Sequence, residues 1–186
     1  MKEAVGMQRQ PRHLTKTMAP GLRALTALAL ACLCLASSPV LRAQQPAMTP
    51  RPAPDFDLKD LANKDVKLAD FDGKSLLLVF CVTWSKPCQQ QFKALSDLQQ
   101  QYGGKTFTVL AVSLDDKGPE AVKSFIDSQK LNFPFVMGDY KVVQDFGGLQ
   151  AVPTIFVIEK NHNVIQRYVG IVEKSTLETD VKSMLQ

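Results

Sequence analysis

The amino-acid sequence predicts an α/β domain with a central mixed β-sheet flanked by helices. Short, branched apolar runs at Ser75–Val82 and Thr106–Leu114 have the composition of strands covered on both faces. Stretches with apolar residues at three- and four-residue steps follow each of them, the stripe of an amphipathic helix. Two later apolar runs, Ile155–Ile158 and Val164–Tyr168, flank Asn161-His162-Asn163 and read as a closing hairpin. Strands alternating with helices, closed by an antiparallel pair, are the pattern of a mixed sheet.

At 186 residues the chain accommodates one domain with a sizeable core. Its 45% apolar and 22% charged residues are ordinary for a soluble globular protein. The net charge of +4 sits at one end: Lys2, Arg9, Arg12, Lys16, Arg23 and Arg42 face only Glu3 within Met1–Ala43, a surplus of five that leaves the remainder near −1. With no basic face, the chain is not read as a nucleic-acid binder.

Taken in order, the first 43 residues have the layout of an export signal. Basic residues precede an apolar stretch from Leu22 to Leu35, followed by Ser37, Ser38, Pro39 and a small residue at Ala43, after which cleavage is expected. Ala24–Leu41 is also about long enough to remain as a membrane anchor, and Ala29-Leu30-Ala31-Cys32 is lipobox-like. All three alternatives place the domain outside the cytoplasm, in the periplasm or an equivalent extracytoplasmic space. Cys32 and Cys34 lie in the signal region, so the mature domain holds Cys81 and Cys88. Residues 44–53 are rich in Pro and Ala and read as a linker, with the domain at 54–186.

Ser75–Val82 is the central strand, and Trp84-Ser85-Lys86-Pro87-Cys88 joins it to a helix whose stripe is Phe92, Leu95, Leu98 and Tyr102. Ser85 suits the N-cap and Pro87 the first turn, which puts Cys88 near free backbone N–H groups that favour an anion and can activate a thiol. Gly103-Gly104 stops that helix. After the second strand, Asp115 to Pro119 is expected to cap and open a helix to about Lys130 with Val122, Phe125 and Ile126 inward. Leu131–Val136 reads as a short extended segment, Tyr140–Phe146 as a short helix, and Lys174–Gln186 as a terminal amphipathic helix. Ala151-Val152-Pro153-Thr154 precedes an apolar strand, where a proline argues for a special turn.

The turn F-C-V-T-W-S-K-P-C resembles the strand-to-helix turn of the thioredoxin superfamily, and most closely its exported TlpA/ResA-like branch, roughly F-W-A-T-W-C-x-P-C. Thr83, Trp84, Pro87 and Cys88 match. Ser85 stands where the family has its attacking cysteine, leaving a degenerate S-x-x-C. The stretches Ala53–Leu58 and Val66–Lys74 resemble the opening hairpin shared by TlpA-like proteins and peroxiredoxins.

The resemblance covers about Pro54–Gln186 and implies a thioredoxin-like fold with an N-terminal β-hairpin extension. It also implies a cis bond before Pro153, with Trp84, Lys86, Pro87, Val152 and Pro153 lining a groove for a peptide or for protein thiols and disulfides. Cys81 occupies the place of a large aromatic near the turn, so it is a possible redox partner of Cys88. Val79 stands where cytoplasmic thioredoxins hold a buried carboxylate, which leaves no proton acceptor there.

Each of these residues also has a plainer reading. Cys88 and Cys81 serve as small buried hydrophobes, Ser85 as a helix cap, Lys86 as a solvated charge and Trp84 as packing. Lys86 is alternatively a charge that lowers the Cys88 pKa. His162 falls far along the chain from Cys88, so no histidine cluster for zinc is expected, and no cofactor.

Three functions follow. The first is a thiol oxidoreductase working through Cys88, alone or with Cys81. The second is a non-catalytic binding module that keeps the groove. The third is a peroxidase using Ser85-x-x-Cys88, against which the chain has Cys81 where peroxiredoxins have a proline and no arginine at Val152–Ile155.

Overall fold

A computed structural model describes residues 48–186. The signal segment, its expected cleavage site after Ala43, and Cys32 and Cys34 lie outside the described residues. Eight strands form one sheet: β1 (Arg51–Pro52), β2 (Asp57–Asp60), β3 (Asp65–Lys67), β4 (Ser75–Cys81), β5 (Phe107–Ser113), β6 (Phe135–Met137), β7 (Thr154–Ile158) and β8 (Asn163–Val169), in the order β1-β8-β7-β4-β5-β6-β2-β3. Four α-helices accompany it: α1 (Lys86–Tyr102), α2 (Pro119–Gln129), α3 (Tyr140–Asp145) and α4 (Lys174–Met184). β4 pairs parallel to β5 and antiparallel to β7, so the sheet is mixed. The hairpin β2–β3, followed by a 3₁₀ turn at Leu68–Phe71, extends the edge beyond β6.

Every residue of β4 and β5 is buried, because helices cover both faces of the sheet at its centre. Leu77, Val79 and Cys81 point to one core with Phe92, Leu95 and Leu98 of α1 and Leu177 and Val181 of α4. Their neighbours Leu76, Leu78 and Phe80 point to the other, with Val142 of α3 and with Phe146 and Phe156. There Phe80, Phe146 and Phe156 meet pairwise in tilted and edge-on contacts at 5.0 to 5.7 Å between centroids. Burying each such side chain stabilises the fold by roughly 1.5–3 kcal/mol.

The boundaries differ from expectation in three places. Arg51 and Pro52, inside the stretch read as linker, pair with Val164 and Asn163 as an edge strand. A proline is tolerated there because an edge strand needs no donor on its open side. The extended segment expected at Leu131–Val136 becomes strand only at Phe135–Met137, since Leu131 instead closes α2 through its N–H to the Ile126 carbonyl. Finally, α2 begins at Pro119 with Gly118 as its N-cap, so Asp115 does not cap that helix. Its side chain goes elsewhere.

Candidate active-site turn

The parallel pairing of β4 with β5 brings both C-terminal ends to one edge of the sheet, with Cys81 level with Ser113. In open α/β sheets that edge is where sites form. β4 leaves it through Thr83–Ser85 into α1, and β5 leaves it through Leu114–Asp115. The Leu114 N–H donates to the Cys81 carbonyl at 2.8 Å and ties the two exits together. β7 runs antiparallel with Thr154 opposite Phe80, so Pro153 arrives at the level of Cys81. The Val152–Pro153 bond is cis, and the Pro153 carbonyl accepts the Gly170 N–H at 2.8 Å. Val152 packs against the core cluster that contains Cys81 and Cys88. The register therefore gathers the turn and the proline segment at one edge.

Within the turn, Trp84 is 66% exposed, and Lys86 and Pro87 are also exposed. Cys88, one residue further on, is 0% exposed. Ser85 occupies the N-cap position in extended backbone, and its carbonyl accepts the Gln89 N–H at 3.0 Å. Its hydroxyl makes no capping bond, which corrects the cap expected from sequence.

Burial pushes the Cys88 thiol up, and the negative charge of Asp115 pushes it the same way. Hydrogen bonds from the Val82 backbone and the Ser85 hydroxyl pull it down without reversing the shift. The activation expected from the helix N-terminus, with or without Lys86, is thus overturned by desolvation, which penalises the thiolate more than those dipoles favour it. Cys81 is raised further, first by burial, then by the charge of Cys88 and that of Asp115. Its Sγ lies 3.7 Å from the Val112 carbonyl, a weak donor contact. Both cysteines are free thiols on the same face of the sheet.

Two polar residues of this region went unrecognised in the sequence. Asp115, 9% exposed, accepts the Thr83 N–H at 2.9 Å, the Thr83 hydroxyl at 2.7 Å and the Ser113 hydroxyl at 2.6 Å. The sequence signal was present: an acid directly after a fully apolar strand, two residues past a serine. Gln91, 1% exposed, donates to the Val172 carbonyl at 3.2 Å and accepts the Val172 N–H at 2.7 Å, fastening α1 to the loop before α4. Its signal was a polar residue beside the apolar stripe, one turn after Cys88.

Other expectations resolve by position. His162 lies in the β7–β8 turn, and Ile158 pairs with Leu76, so it sits at the opposite end of the sheet from Cys88, against Asp72 at 3.4 Å. Among the described residues no group of His, Cys, Asp or Glu could hold a metal ion. Arg167 donates to the Gly148 carbonyl at 2.7 Å and lies 5.4 Å from the Phe156 ring, in the core on the other face from Cys88. It is therefore not positioned to lower that thiol's pKa. No helix among the described residues is long and apolar enough to cross a membrane.

Comparison with known proteins agrees with this geometry. The chain is 33% identical over 128 residues to the thioredoxin-like protein YneN of Bacillus subtilis, covering 68% of this chain and 74% of that one. It is 31% identical over 132 residues to the thiol-disulfide oxidoreductase ResA of Bacillus thuringiensis, covering 71% and 76% respectively. A crystal structure of a putative thiol:disulfide interchange protein DsbE from Chlorobium tepidum superposes with a TM-score of 0.68 at 28% identity, over 76% of this chain and all of the other. The fold is thioredoxin-like. Residues 50–167 match the AhpC/TSA family, and with that match spanning the opening hairpin, the turn and the closing hairpin, the chain belongs to the AhpC/TSA family.

Proposed function

We propose that this domain is an exported thiol–disulfide oxidoreductase of the TlpA/ResA type, acting on protein thiols or disulfides through Cys88 with Cys81 as its partner. The observation that carries the reading is the placement of the buried Cys88 in the first turn of α1, in a strand-to-helix turn that keeps the family's Thr83, Trp84 and Pro87 and ends at the level of the cis Val152–Pro153 bond. Exposed Trp84 and the Val152–Pro153 segment supply the groove against which a substrate lies.

The chemistry then needs two steps. The Cys88 thiolate attacks one sulfur of a substrate disulfide, forming a Cys88–substrate mixed disulfide and releasing the other substrate sulfur as a thiolate. The Cys81 thiolate next attacks the Cys88 sulfur, forming Cys81–Cys88 and releasing the second substrate thiol. The substrate is reduced and the cysteine pair oxidised, and a dithiol reductant resets the pair. Ser85, at the position of the family's attacking cysteine, supplies no thiolate. Because Cys88 is buried and raised, the first step waits on displacement of the turn and is slow.

Export rests on the basic, apolar, small-residue order of residues 1–43, with 44–50 as the tether and residues 51–186 as the working domain. N-terminal sequencing of the protein from its native host tests this: a start near Gln44 supports it and a retained Met1 in a cytoplasmic fraction opposes it.

The same burial of Cys88 favours a second reading, a binding module that keeps the groove without turnover. Incubation with a small disulfide, followed by mass mapping, separates the two. A mixed disulfide on Cys88 in the Cys81→Ala protein supports exchange. A native protein that never forms one while still binding peptide supports the module.

A further inference from the structure

We propose that Asp115 is the positioning residue of the Cys88 site, fixing Thr83, and with it the Trp84–Ser85 turn, through a buried carboxylate at the exit of β5. The proposal rests on the reading of Cys88 as the working thiol. Three donors converge on this one carboxylate: the N–H and hydroxyl of Thr83, 32 residues earlier in the chain, and the Ser113 hydroxyl. The Thr83 carbonyl is held as well, accepting Gln89 Nε2 at 2.7 Å from the first turns of α1. Thr83 is thereby fixed on both sides of its peptide, and the chain between it and Cys88 is only the turn itself.

A carboxylate so placed does more than fasten a loop. Buried carboxylates are retained where hydrogen bonds compensate their desolvation, and here two of the three donors come from Thr83, at the start of the turn that leads to the cysteine. Burial raises both thiols first, and the negative charge of Asp115 adds a smaller push in the same direction on Cys88 and on Cys81.

The other groups around Cys88 do not compete for this role. On its own helix Lys86 and Lys93 point to solvent. Asp97 pairs with Lys174 of α4 at 3.2 Å. Glu178 pairs with Lys182 at 2.8 Å and accepts the Tyr102 hydroxyl, and Asp180 accepts the Tyr168 hydroxyl. Asp115 from the β5 exit and Cys81 at the end of β4 are the ionisable groups acting from the sheet. The expected consequence is a thiol kept protonated until a substrate displaces the turn, which loosens the Thr83–Asp115 bonds at the same time.

The test is site-resolved alkylation of Cys88 as a function of pH, followed by mass spectrometry, in the wild type, Asp115→Asn and Thr83→Val. Asn keeps an acceptor for Thr83 and removes the charge, so the Cys88 midpoint should fall and labelling at neutral pH should rise severalfold. Thr83→Val keeps the charge and removes one hydrogen bond, so labelling should accelerate at every pH with the midpoint held. An Asp115→Asn midpoint equal to that of the wild type overturns the proposal, as does a Thr83→Val midpoint that shifts like that of Asp115→Asn.

Should Asp115→Asn fail to fold, ¹³C NMR of the wild-type Asp115 carboxyl replaces it. Coupling is reciprocal, so the resonance must shift where Cys88 ionises and lose that shift in Cys88→Ala. A carboxyl signal blind to Cys88 refutes the charge coupling. Neither measurement needs turnover, so failure here is distinct from failure of the oxidoreductase reading.

Discussion

Cys81 ends β4 and Cys88 lies in the first turn of α1, and the two free thiols share one apolar cluster at the same edge of the sheet with no exposed surface. A pair so placed should behave as a unit. In the reduced native protein both should resist alkylation, and both should label after denaturation. Mild oxidation should produce a species lighter by two hydrogens that is absent in Cys81→Ala and in Cys88→Ala. Independent labelling of the two thiols, with no cross-linked species at any oxidant level, would count against Cys81 as the resolving residue.

The raised thiols also make a stability prediction with a definite sign. Folding lifts the pKa of both cysteines above their ordinary value, by burial first. Below the ordinary thiol range both states hold these protons and the stability is complete. As pH climbs through that range, the unfolded chain releases protons that the native state keeps, so stability falls until the folded pKa values are passed. The slope amounts to about 1.4 kcal/mol per pH unit for each thiol that remains protonated. Urea midpoints followed from neutral pH to about pH 10 should decline in the wild type, and the decline should flatten in the Cys81→Ala/Cys88→Ala double variant. A double variant with the full alkaline slope would assign the loss to other groups.

Much of this could be read in the sequence, and what could not has a common cause. The central strands, α1 and the closing hairpin were legible because Leu77, Val79 and Phe92, Leu95, Leu98 repeat with the periods of the elements they form. The turn was legible because Trp84 to Cys88 is a contiguous string. Asp115 was misread because its local setting, four residues before Pro119, imitates a helix cap, while its donors are Thr83 and Ser113. Only the parallel register of β4 and β5 brings Thr83, 32 residues earlier, to the carboxylate. Ser85 was half legible: it sits at the N-cap, as its residue type suggests, but its hydroxyl makes no capping bond. The upward shift of Cys88 was hidden because desolvation depends on α1, β4 and the turn closing over one sulfur.

Gln91 gives a prediction about the frame that holds the site. Its side-chain amide exchanges two hydrogen bonds with the Val172 backbone inside a nearly water-free contact. Gln91→Leu conserves the approximate volume and strands both Val172 groups, so it should cost about 1–3 kcal/mol of stability. Gln91→Glu keeps an acceptor for the Val172 N–H but opposes the carbonyl with a second acceptor, so it should be at least as damaging at neutral pH and milder in acid, where the carboxyl can donate. Chemical denaturation across pH measures both. Wild-type stability in Gln91→Leu would mean that water replaces the amide and that the link is not a structural fastening.

The last prediction concerns the departure at Ser85. The turn keeps Thr83, Trp84, Pro87 and Cys88, and Ser85 occupies the half-buried N-cap position three residues before Cys88. A thiol placed there by Ser85→Cys lies at the helix N-terminus in a less buried setting than Cys88, where the free N–H groups stabilise a thiolate with less desolvation to overcome. It should become the attacking group, with Cys88 resolving it through a Cys-x-x-Cys disulfide. An insulin-type reduction assay with a dithiol reductant should show slow turnover for wild type, at least tenfold faster turnover for Ser85→Cys, and a collapse to background when Cys88→Ala is added, because the mixed disulfide then has no neighbour to resolve it. Wild-type activity that survives Cys88→Ala would refute the site. A Ser85→Cys protein that forms its disulfide yet reduces nothing would show that the pair is competent and the groove does not take disulfide substrates, leaving the binding module as the function.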